Sequence, residues 1–220
     1  MAGKLIVIEG LDGSGKTTQT ELLEKALAQN GNAPKVISFP CYDDPSSGPV
    51  KLYLSGELAP DAEQINAYAA SILYTVDRFA SYRRYWMDYY LDGGTVIANR
   101  YTTSNMVHQM GKLDRAEWDA YIEWLEDDEY NKIGIPRPDL VIYLDMPSEV
   151  SQKLMNKRYD GDENKKDLHE RNVGYLLRCR ESAVYAAEKC GWHVIPCSKD
   201  GEPLSVEEIH NSVMKIVLGE

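Results

Sequence analysis

The chain has no run of about 18 apolar residues, so no helix of it is expected to cross a membrane. It has no CxxC spacing. Its four cysteines, Cys41, Cys179, Cys190 and Cys197, are scattered, and no Cys/His pair stands at zinc-ligand spacing. Reduced thiols in a cytosolic protein are the expectation. Positive charge is scarce: 24 Lys and Arg stand against 35 Asp and Glu, a net −11. Such a chain lacks the basic face that a nucleic-acid backbone requires, so any anion must be held by local donors. Internal repeats, low-complexity tracts and an interdomain linker are absent. Met1-Ala2-Gly3-Lys4 leads into a five-residue apolar run, too short for a signal-peptide core, so a cytoplasmic location is expected.

What is present suits one domain over residues 1–220. Hydrophobic residues make up 43% and glycines number 16, the usual balance of a globular chain. Apolar runs at Leu5–Glu9, Val36–Phe39, Thr95–Ala98, Leu140–Leu144 and His193–Pro196 read as buried strands. Helical patterns lie between them, at about 16–30, 61–91, 103–109, 115–131, 168–190 and 206–218. In the long helix, Ile65, Ala69, Ile72, Val76, Phe79, Arg83, Trp86 and Tyr90 recur every three or four residues, and this stripe is expected to pack on the sheet. Alternating strands and helices with continuous apolar strands argue for an α/β fold, a parallel sheet covered on both faces.

Gly10-Leu-Asp-Gly-Ser-Gly15-Lys16-Thr17 fits GxxxxGK[ST]. It directly follows a predicted strand and opens a predicted helix, the context in which this pattern cradles phosphates. Glycines let several backbone N–H groups point at one phosphate chain, and the helix N-terminus adds roughly half a positive charge. Gly10, Gly13, Ser14, Gly15, Lys16, Thr17 and Thr18 are therefore the candidate nucleoside-triphosphate-binding residues, the triphosphate being ATP on the resemblance named below. Lys16 is placed on the β/γ-phosphates, and the Thr17 hydroxyl on Mg²⁺. The pattern names a nucleoside triphosphate and leaves the phosphoryl acceptor open: water, a nucleotide, a nucleoside or another metabolite.

Over nearly its whole length the chain resembles the thymidylate kinases. The likeness runs through Asp12 in the P-loop, Phe39-Pro40, Tyr74-x-x-x-Arg78, Arg100-Tyr101-x-x-Ser104-Asn105, Pro138-Asp139-Leu-Val-Ile-Tyr-Leu-Asp145 and a basic segment. The resemblance implies a P-loop kinase fold with a five-stranded parallel sheet and a short lid at about 155–167. It implies transfer of the γ-phosphoryl of MgATP to dTMP, and a homodimer. Acceptor binding falls to Asp12, Phe39, Pro40, Tyr74, Arg78, Arg100, Ser104, Asn105 and His108. Tyr74 and Arg78 are four apart and share a helical face, so a ring and a planar cation can meet a pyrimidine together. Arg100 follows the third strand, where open α/β sheets bind ligands, and a guanidinium there can fork onto a phosphate.

Lys157-Arg158 and Lys165-Lys166 form a basic cluster in an acidic chain. Cations closing over the transferring phosphoryl lower its barrier. In the family the extra arginine comes from the P-loop or the lid. Here the P-loop position is Gly13, so Arg158 joins Lys16 and Arg100 as the catalytic set, with Lys157 second. Three positions depart from the family pattern. Asn99 stands where an Asp near Mg²⁺ is usual, leaving Asp145, Asp167 or Glu170 to supply the charge. Cys41-Tyr42 replace an acceptor-phosphate arginine, with Lys51 the nearest substitute. His108 replaces an aromatic near the sugar C2′. These leave room for a kinase of another deoxynucleotide or deoxynucleoside, or a catalytically weakened nucleotide-binding protein.

Overall fold

The computed structural model describes residues 2–29, 31, 33–158 and 173–219, and the side chains of Ala62, 155–158 and Val173 lie outside that description. Strands β1 (Lys4–Gly10), β2 (Lys35–Ser38), β3 (Thr95–Asn99), β4 (Leu140–Asp145) and β5 (His193–Pro196) form one parallel sheet in the order β2-β3-β1-β4-β5. The expected α/β fold with five parallel strands is what the chain adopts. The first strand explains why. Ile6 and Ile8 point to one face, where α1 (Lys16–Gln29) and α9 (Val206–Leu218) bury Leu23, Leu27, Ile209 and Val213 against them. Leu5 and Val7 point to the other face, against Trp86, Tyr90 and Tyr101. A strand covered on both sides is apolar without alternation. Among the described residues, no helix is long and apolar enough to cross a membrane.

The other helices are α2 (Gly48–Leu54), α3 (Ala67–Ser81), α4 (Met87–Leu91), α5 (Thr103–His108), α6 (Trp118–Glu126), α7 (Ser148–Arg158) and α8 (Val173–Cys190). A π-helical turn, Tyr82–Trp86, joins α3 to α4, and a second, Asp127–Ile133, extends α6. The expected boundaries hold for β5 and α9 and to within one residue for the other strands. The sequence pattern missed α2 and the small hairpin β6 (Ser198–Lys199) and β7 (Glu202–Pro203). The expected start of the long helix at 61 also moves. Asn66 caps α3 by accepting from Ala69 N, and Asp61 opens a separate 3-10 turn.

The expected apolar stripe does not pack on the sheet along its length. Ile72, Val76 and Phe79 are 50%, 47% and 42% exposed, whereas Trp86 and Tyr90 are buried. The π-turn is the reason. It carries one residue more than the α-turn it replaces, which rotates the following face by about 100°. The stripe therefore faces outward at Ile72, Val76 and Phe79 and inward from Trp86 onward. On α3 the inward face is polar and small: Ala67, Ala70, Ser71, Thr75, Asp77, Arg78 and Ser81. Its polar groups find partners on α6 and the second π-turn. Ser71 Oγ lies 2.6 Å from Tyr121 Oη, and Thr75 Oγ1 donates to Glu129 Oε1 at 2.9 Å. Most of the expected lid at 155–167, with Lys165, Lys166 and Asp167, lies outside the described residues, as does Glu170.

Candidate active site

The P-loop joins β1 to α1. Gly13 and Gly15 have φ of 79° and 89°, left-handed values that side chains rarely adopt. A Cβ on Gly15 would meet nothing within 4 Å, so it is the backbone curl, not crowding, that demands glycine there. Lys16 opens α1, and its Nζ donates to Leu11 O at 2.8 Å and lies 3.8 Å from Asp12. Ser14 is buried, and its hydroxyl makes no hydrogen bond to any described residue. Thr17 and Thr18 are exposed at the helix start.

Asn99 ends β3 beside this helix. Its Nδ2 donates to Thr17 Oγ1 at 3.3 Å, while its Oδ1 is buried without a partner among the described residues. Thr17 Oγ1 and Asn99 Oδ1 thus give the site hard oxygen donors that suit Mg²⁺. Among the described residues, no cluster of three acidic, His or Cys side chains could hold a metal. Asp145, expected as a source of negative charge, accepts from Arg180 Nε and Nη2, both at 2.8 Å. That bidentate pair already neutralises it.

Arg100 follows directly on β3 with φ of 67°, an uncommon value for a side-chain-bearing residue. Strain of this kind is held by surrounding bonds, and here they are many. The Arg100 backbone N donates to Ile8 O at 3.1 Å. Its Nη2 donates to Asp12 Oδ1 at 2.6 Å, and its Nη1 lies 3.4 Å from Glu9 Oε1. Nη1 is also 3.0 Å from His108 Nε2. A guanidinium can only donate, so that ring nitrogen must be the acceptor and the imidazole neutral. Burial works against the Asp12 charge, but Arg100, then Lys16, hold its carboxyl far below the usual range. Burial likewise works against the Arg100 charge, and Asp12 and Glu9 more than offset it, raising its pKa.

Glu9 was not singled out in the sequence. It is fully buried and accepts from Gly10 N, Thr103 Oγ1 and Ser104 Oγ at 2.9, 2.8 and 2.7 Å. The available signal was a carboxylate closing an otherwise apolar strand immediately before the glycine turn.

Against the P-loop lies an open cleft. Asp12 and Arg100 form its wall on the P-loop side. Phe39 and Pro40, joined by a cis peptide bond, line it after β2, and Tyr74 and Arg78 line it from α3. Ser104, Asn105 and His108 line it from α5. Every residue expected to meet the acceptor is thus brought to one cavity. Lys51 is exposed and does not line it. Arg158 ends α7, with its side chain outside the described set, as is that of Lys157.

The Tyr74–Arg78 face lies apart from the Ile72–Val76–Phe79 stripe of α3. The two faces are distinct, but it is the Tyr74–Arg78 face that turns inward. Arg78 is 1% exposed and pairs with Glu129, which is 0% exposed. Arg78 Nε donates to Glu129 Oε2 at 2.8 Å, and Nη2 makes a short bond to Oε1. Thr102 Oγ1 donates to the same carboxylate at 3.1 Å. Burial opposes the Arg78 charge, and Glu129 overcomes this and raises its pKa. Nη1 is left as the guanidinium nitrogen with no hydrogen bond to a described residue. Gln109 was also missed. It lines the cleft, and its Oε1 is buried and unpartnered among the described residues, as is Asn105 Nδ2. Amide assignments can flip, but each residue keeps a donor and an acceptor to satisfy.

The parallel sheet, the glycine turn at a helix N-terminus and the adjoining cleft define a P-loop kinase fold. A model of the thymidylate kinase family matches residues 8–213. A probable thymidylate kinase from Pyrococcus horikoshii is 31% identical over 222 residues, covering 100% of this chain and 98% of its own. One from Pyrobaculum aerophilum is 29% identical over 202 residues, 92% of each chain. A thymidylate kinase from Mycobacterium tuberculosis is 28% identical over 189 residues, covering 83% of this chain and 84% of its own. The solved structure of a thymidylate kinase from Candida albicans shares the fold, with a TM-score of 0.70 at 19% identity over 99% of this chain and 92% of that one. The chain belongs to the thymidylate kinase family.

Proposed function

We propose that the protein transfers the γ-phosphoryl group of MgATP to dTMP, giving ADP and dTDP. The observation that carries this reading is the wall shared by the P-loop and the cleft. Asp12 belongs to the phosphate-binding turn and Arg100 to the strand beside it, they are joined by a 2.6 Å bond, and both face the second cavity. A hydrolase needs room for one water at that point. A cleft lined by an aromatic ring, a guanidinium and two amides with unpaired buried atoms suits the base and sugar of a nucleotide.

The residues divide the work by position. The P-loop N–H groups and Lys16 hold the donor phosphates. Arg100 lies where the donor and acceptor phosphates meet, so its cation can offset charge on the transferring group. Tyr74 offers a ring for a pyrimidine, and Arg78 Nη1 with the amides of Asn105 and Gln109 offers hydrogen bonds to its edge. Because Glu129 neutralises Arg78, that contact is a donor to a neutral carbonyl rather than a clamp on phosphate. Arg158 remains the proposed lid cation. Thr17 Oγ1 and Asn99 Oδ1 would hold Mg²⁺, which would offset negative charge on the donor phosphates.

The whole chain is read as one kinase domain with its lid at about 155–167. A cytoplasmic location is part of the reading, supported by four free thiols. A homodimer is part of it too, supported by the exposed stripe Ile72, Val76 and Phe79 on α3. The test is ADP release from MgATP with dTMP, dUMP, dGMP and thymidine. The reading expects dTMP to be the preferred acceptor. ADP release indifferent to acceptor, or none with any, contradicts it.

A further inference from the structure

One wall of the cleft is built from the segment between β2 and α3. Residues 41–66, which contain Tyr42, Lys51 and α2, cross its mouth and place Leu54 against it. The apolar cluster that ties α2 to α3 holds only Tyr53 and Ala70 as fully buried members. The segment is pinned at its start, where Asp77 accepts from Cys41 N at 2.8 Å and from Ser46 Oγ at 2.7 Å. Its other end is held by a lysine that the chemistry above does not use. Lys112 Nζ donates to Tyr53 Oη at 2.7 Å and to Ile65 O at 3.0 Å. One ammonium therefore bonds both ends of the stretch between α2 and α3.

The seat of that lysine is rigid. Lys112 closes a 3-10 turn, Met110–Lys112, that continues α5 beyond His108 and Gln109. Gly111 in this turn packs on α8 so closely that a Cβ would lie 3.2 Å from Cys179 N and 3.3 Å from its Sγ. Arg178 of α8 adds a bond from Nε to Gly111 O at 3.1 Å and an ion pair with Glu63. Tyr53 in turn meets Tyr74 edge-to-face at 6.2 Å, and Tyr74 lines the cleft. Burial pushes the Lys112 ammonium down to about 8, so enclosing this cation has a cost that a polar residue left in solvent would not incur.

We propose that Lys112 is a positioning residue, a latch that holds α2 across the acceptor cleft through Tyr53 and Ile65 and so sets the place of Leu54 and Tyr74. It touches no reacting atom and acts on acceptor binding alone. The inference rests on the acceptor reading of the cleft, and the experiment separates the two. Hydrogen exchange of residues 48–66 is measured on the ligand-free protein for wild type, Lys112→Met, Tyr53→Phe and the double variant. Loss of a charge-assisted hydrogen bond is worth about tenfold in an opening equilibrium. Lys112→Met should therefore speed exchange in this segment by at least about tenfold, with the central strands unchanged. Tyr53→Phe, nearly isosteric, should speed it in the same direction, and adding it to Lys112→Met should change little further. In kinetics, Lys112→Met should raise the KM for dTMP by about tenfold, with kcat and the KM for ATP within about twofold. Unchanged exchange in 48–66 for Tyr53→Phe and Lys112→Met overturns the latch, as does a loss spread equally over both substrates. If wild type does not turn over dTMP, the proposed function fails, and the exchange measurement still decides the latch.

Discussion

At the scale of single residues, charge placement distinguishes the roles. Lys16 is the one P-loop cation, and Lys16→Ala should lower kcat by at least about 10³, because a fixed charge leaves the transferring phosphoryl. A rate within tenfold of wild type would contradict its role. Arg78 makes a different prediction, one the sequence alone did not offer. Its partner Glu129 is fully buried, so Arg78→Ala strands a carboxylate and should cost about 3–5 kcal/mol of stability. Arg78→Ala with Glu129→Gln should recover part of that in denaturant titrations, since the amide carries no charge. A double variant no more stable than the single one would mean that the pair is not electrostatically coupled. Asn99→Asp is expected to be tolerated, with turnover within about tenfold, about 1.4 kcal/mol. The change is nearly isosteric, and Thr17 can still bond to the new side chain. A Mg²⁺ titration of both proteins checks this. Activity that appears only in the Asp variant would support a degenerate nucleotide binder.

At the scale of elements, the P-loop and the acceptor motifs were legible because their chemistry is local. Tyr74 and Arg78 share a face by spacing, and Arg100 follows a strand whose end is a ligand site. Orientation was not legible. The α3 stripe kept its period across the π-turn, and periodicity carries no sign of one extra residue in a helix. The same kind of turn in 127–133 swings Glu129 inward, which the acidic run Asp127-Asp128-Glu129 disguised as a solvated surface. Lys112 was equally hidden, since its partners Tyr53 and Ile65 are 59 and 47 residues away. The outward stripe yields its own prediction. Val76→Glu with Phe79→Glu should leave the fold intact, because both sites are exposed, and should convert a dimer into a monomer in sedimentation velocity. A wild type that already sediments as a monomer contradicts the proposed dimer face.

At the scale of the molecule, a net −11 chain sets two cations where phosphate must go. Lys16 and Arg100 stand at the carboxyl ends of β1 and β3, the neighbours at which the sheet order turns. Asp12 and Glu9 keep Arg100 in place, and the acceptor cleft opens on the same side. The central claim is that these two sites work on one phosphoryl group. Its most direct test is the initial rate of ADP formation from MgATP with and without saturating dTMP. The account predicts that dTMP raises the rate at least a hundredfold, about 2.7 kcal/mol off the barrier, with dTDP formed in equal amount to ADP. ADP formation at the same rate without dTMP, or no dTDP in its presence, would contradict it.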